Sequence, residues 1–186
     1  MWRSITYLWI ILALSACSNP KQEPLSEEDK ASLMLLGDSI SVEMQNVLLQ
    51  NVAGAIQKGG TDYAVEFCNI HAMQLTDSIA EDLNVYIQRL SDRTRNSANA
   101  IQTQDDNLAW EKIKSEKADF LEQHKNGEIY YYKPILIAMP TCLKCHGGKS
   151  DIVESTQNII AQKYPNDKAV NYNMGDLRGM WKIKLN

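Results

Sequence analysis

Two thiols and an imidazole fall within five consecutive residues, Cys142-Leu143-Lys144-Cys145-His146, in a chain with only four cysteines and three histidines. Where those sulfur atoms go constrains the fold more than any other feature. Four structural cysteines would permit three disulfide patterns. From the chain's own residue frequencies, Cys-x-x-Cys-His arises by chance on the order of one time in a thousand. The spacing is therefore read as a motif.

Cys-x-x-Cys-His is the attachment sequence for c-type haem. Thiols separated by two residues can each add across one haem vinyl group, and the adjacent histidine is then held under the iron as proximal ligand. One covalent haem c is the expected cofactor, with Cys142, Cys145 and His146 as its holding residues. Two other readings stand beside it. Cys68-Asn69-Ile70-His71 is a Cys-x-x-His that would complete a four-ligand zinc set with Cys142 and Cys145, giving a zinc-stabilised structural or interaction lipoprotein. A disulfide or redox pair between Cys142 and Cys145 is the other. Zinc leaves His146 unexplained, and the order of elements lacks the parallel-sheet unit in which a redox pair usually opens a helix.

The N-terminus points the same way. Arg3 precedes a mostly apolar stretch, Ile5 to Leu14, far shorter than the roughly 20 residues of a spanning helix. Residues 1–16 read as a secretion signal. Leu14-Ser15-Ala16-Cys17 resembles a bacterial lipobox, which implies that Cys17 is lipidated and begins the mature chain. Ser18 after it favours the outer membrane, so the expected location is the periplasm or cell surface, lipid-anchored. Haem of this kind is attached outside the cytoplasm, so signal and motif support each other. Residues 17–25, with Pro20 and Pro24, form the tether.

The formal charge of -4, with no basic tail, argues against a nucleic-acid partner. Residues 26–186 suffice for one domain with a good core. They do not also hold a large effector domain, so any signal must pass to a separate redox or signalling partner.

Along that domain, Ser26 with Asp29 marks a helix start, and Leu33, Leu36, Ile40, Val47, Ala55 and Ile56 keep a helical period up to Gly59-Gly60. Thr61 or Asp62 caps a second helix to about Glu81. Residues 84–91 alternate as a strand. Residues 92–105 read as a polar loop, and 108–124 as a third helix stopped by Gly127. Residues 129–138 suggest two strands meeting at Pro134, 151–163 a short helix, and 180–185 a closing strand. This order favours helices against a small antiparallel sheet, an α+β architecture.

Several stretches, in order, carry a more specific likeness: Ala64-Val65-Glu66-Phe67-Cys68, Arg89-Leu90-Ser91 with Arg95-Asn96-Ser97-Ala98-Asn99-Ala100, and Tyr132-Lys133-Pro134-Ile135 leading into Cys142-Leu143-Lys144-Cys145-His146-Gly147-Gly148. Tyr164-Pro165-Asn166-Asp167-Lys168-Ala169 and Gly175-Asp176-Leu177-Arg178-Gly179 complete them. With these the chain resembles the family of single-haem, PAS-like domains typified by a small cyanobacterial c-type haem protein. Ser97 departs from the family pattern, where proline stands. The resemblance implies a PAS-like antiparallel sheet with the long N-terminal helices packed on it. It also implies that Cys68 matches a helix cysteine that binds the haem iron opposite the motif histidine.

Independently, at 100° per residue Leu75 and Ile79 lie about 20° from Cys68, and Ala64 and Ala72 about 40°, so the thiol sits mid-stripe and faces the core. A buried free cysteine acting as a small hydrophobe is the ordinary alternative. His71, about 60° around the helix, is the main rival ligand, and Met139 and Met174 stay open. Met73, about 140° away, does not share that face. His124 is read as a solvated charge partner at a Lys-rich helix end. Arg93, Arg95 and Arg178 are candidate partners for haem propionates, with surface ion pairs as the plainer alternative. The expected role is a redox or gas sensor, with a single-haem electron carrier as the alternative. No nucleophile–base grouping or phosphate-binding glycine loop marks it as an enzyme.

Overall fold

The computed structural model describes residues 24–186, so the signal segment and Cys17 lie outside the described residues. Chain order is α1 (Glu27–Asp82), β1 (Tyr86–Leu90), a 3-10 turn (Ser97–Asn99), α2 (Gln104–Glu116), β2 (Phe120–Gln123), β3 (Ile129–Leu136), α3 (Pro140–His146), α4 (Glu154–Lys163) and β4 (Leu177–Lys184). The four strands form one antiparallel sheet in the order β1-β4-β3-β2, confirming the α+β class.

The opening of α1 follows its sequence signals. Ser26 accepts from the Asp29 N–H, and Glu27, Glu28 and Asp29 stand in the first turn, where acidic groups meet the orphaned amides. The two expected long helices are arms of one element broken at Gly59 and Gly60. Gly60 has φ 72°, a conformation that favours glycine. Thr61 and Asp62 turn their side chains to the buried Thr156 of α4, which docks α4 beside the break.

The sheet is covered on both faces. Tyr131, Trp181, Ile87 and Ile183 pack against Ile40 and Met44 of α1. Their alternates Tyr130, Tyr132, Met180 and Leu90 pack against Ala109, Trp110 and Ile113 of α2. Lys182 points to the α2 side and reaches Asp106 at 2.7 Å, a pair exposed only 10% and 5%. No described helix is long and apolar enough to cross a membrane.

Several expectations need correction. The expected helix over 108–124 is instead α2 followed by β2. Thr103 caps α2 four residues earlier than the sequence suggested, and Lys117 in the left-handed region (φ 50°) ends it. Phe120 to Gln123 then pair with Tyr132 to Ile129. Gly127, at φ 90°, makes the hairpin turn and does not stop a helix. His124 therefore sits at the end of β2, with a side chain 11% exposed and 3.5 Å from Asp105, far from a solvated helix end. Residues 129–136 are one strand. Pro134 is tolerated because β2 pairing ends at Tyr132, which makes β3 an edge there.

Gly37 is the point of closest approach between α1 and the sheet: a Cβ there would lie 2.3 Å from Tyr131 Cγ. Gly37→Ala should destabilise the domain by about 1–3 kcal/mol through overpacking, measured by urea unfolding. An unchanged midpoint would mean that Tyr131 can turn away freely.

Candidate functional site

The motif folds as the short helix α3, entered at Pro140 and ending at His146. β3 delivers it: the strand ends at Leu136, and Ile137 is tied to the 173–176 turn by Ile137 N–H to Asp176 O and Gly175 N–H to Ile137 O, both 2.9 Å. Beyond His146 the chain must pass close to α3 again. Gly147 allows this, since a Cβ there would lie 2.6 Å from Leu143 O and 2.7 Å from Asp151 Cβ.

Cys142, Cys145 and Cys68 are free thiols, each half-buried. Cys142 borders Ile137, Ala169 and Tyr172, while Cys145 borders Val65, Ile152 and Ile160. Burial pushes the Cys145 and Cys68 thiols up, and the Arg95 charge pulls both down. Cys145 packs beside Val65, one helical turn before Cys68 on α1, so the α1 thiol lies on the same side of the domain as the motif.

His146 Nδ1 lies 2.7 Å from Ala169 O. A carbonyl only accepts, so Nδ1 carries the proton and Nε2 keeps its lone pair for a ligand bond. Desolvation, with Arg95 and Arg178 nearby, holds the His146 pKa well below the usual imidazole range. The ring of Tyr172 stands edge-on, with centroids 6.3 Å apart.

Four arginines surround these groups. Arg89 Nη2 reaches Ala72 O at 3.4 Å. Arg93 donates to Lys168 O at 3.3 Å and to Val170 O, and its guanidinium lies 4.0 Å from the Tyr172 ring centroid. Arg95 donates to Cys145 O at 2.6 Å and to Asp167 at 3.0 Å. Arg178 is the extra residue of a bulge, since Ile135 pairs with Gly179 and Leu136 with Leu177. The bulge aims it at Ser91 and at Arg93 O, each 3.2 Å away. Arg95 Nε, Arg178 Nε and the Tyr172 hydroxyl are shut off from water without a partner.

The other candidates separate clearly. His71 is exposed, lies tilted against the Phe67 ring and bonds Gln74 at 3.1 Å. Among the described residues no three His, Cys, Asp or Glu side chains come together to hold a metal, so the zinc set of Cys68, His71, Cys142 and Cys145 is not assembled. Met139 and Met174 are 40% and 46% exposed. Sequence reasoning missed Ala169 and Tyr172, because a main-chain acceptor and a loop tyrosine leave no spacing signal.

The fold and site define a small α+β domain whose sheet presents a two-thiol, one-imidazole helix inside a ring of arginines. The chain belongs to the Tll0287-like family, whose model matches residues 18–186. Among solved structures it is similar to the cyanobacterial haem protein Tll0287, at 25% identity and a TM-score of 0.59, covering 87% of this chain and 96% of that one. No curated protein matches it.

The raised thiols make a test. In folded, haem-free protein at pH 8, Cys68 and Cys145 should alkylate at least about tenfold more slowly than in the unfolded chain, and faster as the pH rises past 9. Equal rates in the folded and unfolded chains would contradict their burial.

Proposed function

We propose that this chain is a single-haem protein whose cofactor would be held through Cys142 and Cys145, with His146 and Cys68 as the residues that would bind its iron. The observation that carries the reading is the His146 bond to Ala169 O, which fixes the tautomer with Nε2 free one residue from a half-buried thiol. The donor set fits the group in chemistry as well. Two free thiols at the attachment spacing suit the vinyl groups. Shielded guanidinium and phenol donors without partners suit a ligand bearing carboxylates.

When bound, haem would supply one-electron chemistry and an iron able to exchange a ligand. The chain's own contribution is orientation and electrostatics. Ala169 aligns the imidazole; Arg89 and Arg95 favour the anionic form of Cys68; Ile137, Val65, Ile152 and Tyr172 wall off the thiols of α3 from water. A thiolate ligand favours ferric iron and lowers the potential. Cys68 thus gives a ligand whose hold depends on oxidation state, which suits a redox or gas sensor better than an enzyme. Lipidation at Cys17 would tether it at the periplasmic or cell-surface side of a bacterial membrane, with the response passed to a separate protein.

A single-haem electron carrier is the second reading. Leu136, Met139 and Met174 favour it: they are exposed large apolar residues on the segments leading into and alongside α3, where a redox partner would approach.

Protein made with haem-maturation machinery should show a Soret band, a pyridine haemochrome of c type and haem that survives denaturation. Cys68→Ala should change the oxidised spectrum and electron paramagnetic resonance signal, whereas His71→Ala should leave both unaltered. A colourless protein, or a Cys142–Cys145 disulfide recovered from natively produced material, would refute the haem; an unchanged Cys68→Ala spectrum would refute the ligand. Binding of carbon monoxide or nitric oxide supports the sensor, and fast transfer without ligand binding the carrier.

A further inference from the structure

Two of the stretches that carry the family resemblance, around Arg95 and around Asp167, lie far apart in sequence and meet at one carbonyl. Ala169 O accepts from His146 Nδ1 at 2.7 Å and from Arg95 Nη2 at 3.3 Å. The same Nη2 binds Asp167 Oδ2 at 3.0 Å and Cys145 O at 2.6 Å. Asp167 Oδ1 in turn accepts the Ala169 N–H at 2.9 Å. One carboxylate therefore fixes Ala169 from its amide side and holds the guanidinium that reaches its carbonyl side. The pair is largely shielded, with side chains 11% and 8% exposed, so its charges are weakly screened. Ala169 itself is fully buried, which keeps water from replacing either donor.

A carbonyl has two lone pairs, and a charged donor on one makes it a weaker acceptor on the other. The hydrogen bond at Nδ1 sets the basicity of the nitrogen on the far side of the ring. We propose that Arg95, held by Asp167, is a positioning residue that tunes His146 through the shared Ala169 carbonyl. This rests on the haem reading above. By drawing on Ala169 O, Arg95 limits the electron density that the carbonyl pushes through the imidazole, so His146 becomes a weaker donor to iron and the reduced state is favoured.

Arg95→Lys separates this from simple charge, because it keeps the cation but ends one atom short of Nη2, the nitrogen that makes all three contacts. In reduced holoprotein, the His146 Nδ1 proton should move downfield as its bond to Ala169 O strengthens, and the midpoint potential should shift negative. Asp167→Asn loosens the hold on the guanidinium and should likewise move the His146 Nδ1 proton downfield, which keeps the proposal testable if one variant folds poorly. Haem-loaded, folded variants whose Nδ1 proton and potential both match the wild type would overturn the tuning role and leave a plain structural clamp. A wild-type chain giving no pyridine haemochrome would instead overturn the haem reading on which it rests.

Discussion

Everything in this domain hangs on the antiparallel pair β3 and β4, whose side chains are buried on both faces. Tyr130, Tyr132 and Met180 enter one core while Tyr131, Trp181 and Ile183 enter the other. Burying each such side chain is worth about 1.5–3 kcal/mol, so neither face is stable bare. A helix is required on each side, and α1 and α2 supply them. The two faces are not equivalent. The α1 side closes tightly because Gly37 lets the helix rest on the Tyr131 ring, and there Lys133 meets Asp38 of α1 in a pair more exposed than the one on the other face. The α2 side includes Lys182, so α2 must bring Asp106 to it, and leaving either charge alone there would cost about 3–5 kcal/mol.

The site is built where that pair stops being regular. β3 runs out at Leu136 and hands the chain to α3, while the bulge in β4 turns Arg178 out of the ladder. Between them, residues 167–172 form no strand or helix, so their main-chain carbonyls must find donors elsewhere. Arg93, Arg95 and His146 provide them, through Lys168 O, Ala169 O and Val170 O. The segment that orients the imidazole is therefore held by side chains from distant parts of the sequence. That is why the site needs the whole domain rather than α3 alone.

Much of this was legible in the sequence where one residue type forces one geometry. Ser26 with Asp29 marked the start of α1, Gly59-Gly60 marked its break, and of the two candidate ligands on the second arm Cys68 is half-buried while His71 is exposed. The motif marked α3 as the place of chemistry without revealing that it is helical, since seven residues are too few to show a period. β2 was hidden for a different reason. Its four residues follow a charged helical run, and only a left-handed Lys117, which carries no compositional mark, ends the helix in time. The arginines were read as partners for a ligand or for surface acids. Arg95 does meet an acid, Asp167, but most of their bonds go to main-chain oxygens, which leave no complementary residue to find.

The balance of charge around the site completes the physical picture. Arg89, Arg93, Arg95 and Arg178 converge there, and Asp167 is the carboxylate bonded among them. Burial lowers the pKa values of Arg89 and Arg178 without a bonded acid to offset it, so the arrangement is stabilised by acquiring negative charge. On the proposed reading, porphyrin carboxylates and the Cys68 thiolate supply that charge. Arg95 would then act on both iron-binding residues at once. Across space it stabilises the anion at Cys68, and through Ala169 O it restrains the donation from His146. The first would keep a thiolate that supplies electron density to iron, and the second would limit what the imidazole supplies. On that reading a change at Asp167 or Arg95 would reach both ligands, because the one guanidinium serves both.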